Sequence, residues 1–155
     1  MLIRRGFAAL ERVEAHGGAL GPYGLQAAIA ACHARARTPD DTDWTRITAL
    51  YDGLAQLAPS PVVELNRAVA YAMAFGPAAG LEIADALTAE PSLAGYHLLP
   101  AVRGDFLAKL GRFEEARAEL EQAAALTRNT RERGLLLERA AACARASANT
   151  EGDRR

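Results

Sequence analysis

The side chains able to do chemistry are few and poorly arranged for it. His16, His33 and His97 lack the His-Glu-x-x-His spacing that sets two imidazoles on one helix face for zinc. Ser60, Ser92 and Ser147 are not in a Gly-x-Ser-x-Gly elbow, the strained turn that exposes a nucleophilic hydroxyl. No phosphate-cradling glycine loop is present. Asp40, Asp41 and Asp43 place three carboxylates close together, as a cation loop would. Aspartate just ahead of a helix is better explained as a cap, because its oxygen accepts a free backbone N–H. Cys32 and Cys143 lie in alanine-rich runs without a Cys-x-x-Cys pattern, which suits small buried hydrophobes and a reducing cytoplasm. These residues form no catalytic, metal or cofactor constellation, and the expectation is a cytoplasmic protein that is not an enzyme.

Polar residues inside otherwise apolar helices are more informative. Gln26, Asn66, Arg67, Arg103 and Asp105 each interrupt such a run. Amides offer donors and acceptors, and guanidinium can clamp a carboxylate with two bonds. Gln26, Asn66, Arg67 and Arg103 are therefore the candidate partner-binding residues. The alternative is that they satisfy one another, since buried polar groups need partners.

The elements that position them are helices throughout. Residues 2–16 place Leu2 or Ile3, Phe7, Leu10 and Val13 on one stripe, and Gly17-Gly18 stops the run. Its abrupt start at Met1 is read as a helix cut from a longer parent, a link to segments upstream. A second helical run over 21–38 faces Leu25, Ala28, Ile29 and Cys32 inward, with Pro22 in its first turn. A third, 43–58, carries Trp44, Ile47, Leu50, Tyr51, Leu54 and Leu57, and Pro59 ends it. Residues 60–91 read as a helix, a turn at Gly76-Pro77, a second helix and a stop at Pro91. Residues 93–110 follow, with Pro100 near the start or at a kink. Then come the Gly111-Arg112 turn and helices 113–128 and 131–147. Asn129 and Glu132 resemble a capping box, and the polar tail 148–155 is expected to be disordered.

The helices recur. Pro59 and Pro91 are 32 residues apart, and Gly76 and Gly111 are 35 apart. A period near 34 with two helices per unit suggests tetratricopeptide repeats. The best unit is 97–128, where small Gly104 and Ala116 alternate with Leu107, Phe113 and Leu120. The expected fold is all-α: an α-α superhelix of about three tetratricopeptide-like pairs over 22–147 with flanking helices. In such a stack the first helices of the pairs line a concave groove.

Composition agrees. Of 155 residues, 50% are hydrophobic but only 6% aromatic, and nearly a quarter are alanine, the best helix former. Net charge is -1, and no basic run exceeds two residues. A face that neutralises DNA phosphates is missing, so direct nucleic-acid binding is not expected. No apolar run is long enough to span a membrane.

Four stretches together resemble one family: 21–34 (GPYGLQAAIAACHA), 43–77 (DWTRITALYDGLAQLAPSPVVELNRAVAYAMAFGP), 96–116 (YHLLPAVRGDFLAKLGRFEEA) and 126–140 (LTRNTRERGLLLERA). They are similar to the C-terminal tetratricopeptide-like extension of a group of extracytoplasmic-function sigma factors. GPYGLQAAIAA and PSPVVELNRAVA are the most specific segments. The resemblance implies a regulatory domain in bacterial transcription initiation. It implies contact with the parent's own sigma regions, core RNA polymerase or a regulator, and no catalysis. The promoter-reading sigma regions are not in this sequence. The residues alone leave open a free-standing repeat adaptor that holds a peptide or protein in its groove.

Overall fold

The computed structural model describes residues 21–155. The helix expected over residues 2–16 lies outside them. Among the described residues there are seven α-helices and no strand. α1 is Pro22–Arg35, α2 Trp44–Leu57, α3 Pro61–Phe75, α4 Pro77–Leu87, α5 Leu98–Lys109, α6 Phe113–Leu126 and α7 Thr130–Gly152. Each packs chiefly on the next in sequence, giving the all-α superhelical arrangement of consecutive pairs. No helix among the described residues is long and apolar enough to cross a membrane.

Local chemistry sets the boundaries. Asp43 caps α2 by accepting the Arg46 N–H at 3.1 Å, so this carboxylate does serve the helix start. Ser60 accepts the Val62 N–H at 3.3 Å, and Pro61 follows in the first turn, where its missing donor is not needed. Asn129 caps α7 through the Glu132 N–H at 3.0 Å. Gly76 alone joins α3 to α4, with φ at 102°, a conformation open in practice only to glycine. Gly111, with φ at 77°, closes α5. Its N–H reaches the Ala108 carbonyl at 3.0 Å and the Arg112 N–H reaches Leu107 at 2.9 Å, the paired bonds of a Schellman ending.

Three boundaries differ most from expectation. α4 stops at Leu87, not at Pro91, because the Thr88 hydroxyl and N–H both turn back to the Asp85 carbonyl. Pro91 instead opens a 3-10 turn, Pro91–Leu93, capped by Glu90. α5 consequently starts at Leu98, which places Pro100 third in the helix, where no intrahelical donor is required. α7 runs on to Gly152, so residues 148–152 continue a helix rather than a disordered tail. The alanine-rich run from Ala140 sustains it, and the Thr150 hydroxyl donates to the Ala146 carbonyl at 2.9 Å.

Two cores result. The larger joins α3 to α7 around Leu65, Leu81, Phe106, Leu107, Leu120 and Leu136. The smaller joins α1, α2 and the other side of α3 around Leu25, Ile29, Ile47, Leu54 and Ala70. α3 serves both.

Glycines let the helices of the larger core touch. A Cβ on Gly80 would lie 2.6 Å from the Ala72 Cβ, 2.7 Å from the Ala68 carbonyl oxygen and 2.9 Å from the Phe106 ring. One on Gly104 would lie 2.8 Å from Leu120 Cγ and 3.3 Å from the Ala116 carbonyl. Two of the atoms facing Gly80 belong to the backbone or sit next to it and cannot swing away. Gly80→Ala should therefore destabilise the chain by about 1–3 kcal/mol, and the bulkier Gly104→Leu by at least about as much, through overpacking. Thermal melts followed by circular dichroism measure both. An unchanged midpoint for Gly80→Ala would show that α4 does not approach α3 this closely.

Candidate protein-interaction groove

On α3, residues 69, 72 and 73 fall on one face, one helical turn apart, and on α5 residues 102, 105, 106 and 109 do the same. The two faces meet in a cavity of about 360 Å³. Val69, Ala72, Val102 and Phe106 make it apolar. Asp105, Lys109 and, from α7, Arg139 bring charge to it. The Asp105 carboxylate accepts from Arg139 at 2.7 Å and pairs with Lys109 at 2.9 Å. Half-exposed Met73 stands beside it. Asp105 and Arg139 also line a second cavity, of about 380 Å³, between α5, α6 and α7. Phe113, Leu120, Ala142 and Cys143 make that one apolar. The α5–α7 ion pair thus stands where the two cavities adjoin.

The four candidate residues are elsewhere. Gln26 is exposed on α1 and Asn66 is exposed on α3. Arg67 turns toward α2, where its Nε donates to Asp52 Oδ1 at 2.7 Å and its Nη1 to Glu64 at 3.3 Å. Its guanidinium also lies 4.8 Å from the centre of the Tyr71 ring. The Tyr71 hydroxyl meets both Asp52 oxygens, at 2.9 and 2.8 Å. The Asp52 bond raises the Arg67 pKa above its ordinary value, and burial followed by the same carboxylate raises that of Tyr71. Arg103 occupies the other side of α5. It donates to Asp85 of α4 through Nε (3.0 Å) and Nη2 (2.9 Å), and its Nη1 pairs with Glu119 of α6 at 2.8 Å. Arg103 therefore joins three helices, and Arg67 joins two. Neither lines the cavities between α3, α5, α6 and α7.

Asp105, singled out with the other four as a polar interruption, is the one the structure brings to the groove. Lys109 and Arg139 were missed. The Asp105–Lys109 spacing of four residues was a usable signal, since such pairs share a helix face. The Asp105–Arg139 pair, 34 residues apart, has no local signature.

Among the described residues no three His, Cys, Asp or Glu side chains form a metal-binding group. His97 pairs with Glu132 at 2.9 Å, and the Glu132 carboxylate also receives the Thr127 hydroxyl at 3.1 Å, which ties α5 to the start of α7. Cys32 and Cys143 are both buried. Burial pushes the Cys143 thiol up from its usual pKa, which works against a reactive thiolate.

Over 112 residues, 72% of this chain, the sequence is 49% identical to an uncharacterized protein of Rhizobium meliloti (strain 1021). The match spans 26% of that protein's length, so the relative is about four times as long as the shared segment. No family model matches the chain, and no solved structure matches it.

Asp52 is the acceptor on which Arg67 and Tyr71 converge. Asp52→Ala should leave helix content unchanged and lower stability by about 0.5–1.5 kcal/mol, the net worth of ordinary hydrogen bonds, since water reaches this half-exposed site. Urea unfolding followed by circular dichroism checks it. No change in midpoint would show that the cluster does not hold α2 to α3.

Proposed function

We propose that this chain is a regulatory protein-interaction domain of the tetratricopeptide-like kind carried by extracytoplasmic-function sigma factors. Its work is contact with sigma regions, core RNA polymerase or a regulator, in the cytoplasm and without catalysis. The observation that carries the reading is the resemblance of GPYGLQAAIAA and PSPVVELNRAVA to that extension. Support comes from where the second segment sits. It forms the Ser60 cap and most of α3, the helix shared by the two cores, and includes buried Leu65, Ala68 and Ala70. Its sequence therefore follows constraints from both sides. The Rhizobium relative lends further support, because the matched segment there belongs to a much longer chain. A net charge of -1 with no basic run argues for protein over DNA as the partner.

The apolar groove beside α5 favours a second reading, a free-standing adaptor that takes a peptide or protein segment. Titrating the purified chain against core RNA polymerase, against isolated sigma regions two and four, and against promoter duplex separates the two. The sigma reading expects saturable binding to at least one of the proteins and none to the duplex at physiological salt. Binding to duplex alone, weakening steeply with salt, would overturn both readings. Indifference to polymerase and sigma regions alike would remove those two contacts and leave a separate regulator or the adaptor's segment as the partner.

A further inference from the structure

We infer that the two cavities flanking the Asp105–Arg139 pair form one docking groove for a partner segment of defined pattern: a carboxylate placed between two bulky apolar side chains on a single face. The inference rests on the protein-contact reading above and names the chemistry of its partner. Three observations lead to it. Both cavities are apolar and each, at about 360 and 380 Å³, is large enough for a bulky side chain. The residues that line both, Asp105 and Arg139, are charged and lie between them. The charges do not cancel: Asp105 is the single acid lining either cavity and it faces two cations, Lys109 and Arg139.

One carboxylate cannot occupy all the donors of an ammonium and a guanidinium. Lys109 has three N–H donors and Arg139 has five, and both side chains are about half exposed, at 56% and 47%. An incoming carboxylate completes the pattern without displacing Asp105. It gains charge-assisted bonds to both cations, moderated by the water that reaches them. An incoming cation meets two like charges against one opposite charge and is rejected. The apolar anchors on either side fill cavities that otherwise leave the partly buried Val69 and Val102 open to water on one side and Phe113 on the other.

The test uses three fluorescein-labelled synthetic helical peptides of alanine and glutamine. On one face the first carries leucine, glutamate and leucine in that order. The second replaces glutamate with lysine, and the third replaces both leucines with serine. Anisotropy titrations with the full chain should show the glutamate peptide binding about tenfold or more tighter than the lysine peptide, with the serine peptide not binding. Lys109→Glu, at the more exposed of the two cations, should reverse the preference between the first two peptides, and Arg139→Glu should do the same where its melt is unchanged. Equal affinity for the first two peptides, no binding of either, or an unreversed preference in Lys109→Glu would overturn the inference. Binding that appears only after residues 1–20 are deleted would assign the groove to the chain's own leading segment. Competition by chain self-association would assign it to a second copy. Either result would overturn it too. Loss of peptide binding with polymerase or sigma-region contact retained removes this groove alone; the reverse pattern removes those two contacts and keeps the groove.

Discussion

The approach of α4 to α3 at Gly80 is the constraint on which the rest of the stack depends. With a Cβ there, the Ala72 methyl, the Ala68 carbonyl and the Phe106 ring would all be too close. Without one, α3, α4 and α5 meet at a single point. α3 turns Leu65 and Ala68 toward α4 and α5 in the larger core, and Ala70 on another side toward the smaller. The one-residue connection at Gly76 works in the same sense, because it gives α4 no slack to stand off from α3. Small residues here replace the large aromatics that many cores use. Their contribution is proximity, which gathers Leu81, Leu107 and Leu120 into one core.

Most of the fold was legible because it is written in local signals. Helical period, Pro61 and Pro77 in first turns, Gly76 and Gly111 at ends, and Asp43 and Asn129 as caps all act within a few residues. The differences arose where local signals compete. Pro91 looked like a helix stop, but the Thr88 hydroxyl had already closed α4 three residues earlier. Residues after 147 looked like a polar tail, yet they inherit a helix nucleated by a long alanine-rich run.

The groove was far less legible. Arg67 and Arg103 drew attention as charges in apolar helices, and the structure gives each of them partners on neighbouring helices. Those partners lie 15 and 18 residues away for Asp52 and Asp85, beyond any helical periodicity. The charges that do border an apolar cavity, Lys109 and Arg139, sit in stretches of ordinary surface composition and become notable only once α5 and α7 are side by side. A charge inside an apolar run is thus as much a sign of inter-helix tethering as of a contact surface, and only the position of its counter-charge separates the two.

The sequence contains one tryptophan, Trp44, at the first residue of α2. It packs at the edge of the smaller core, with the His33 ring 5.4 Å away at a steep angle. The larger core, from α3 to α7, contains none. Indole emission from this chain is therefore a regional signal, blind to the groove and to four of the seven described helices, whereas backbone ellipticity weighs all of them. Any optical comparison of the two resolves the halves of the stack without a label being added, and among the described residues α3 is the element that the two cores share.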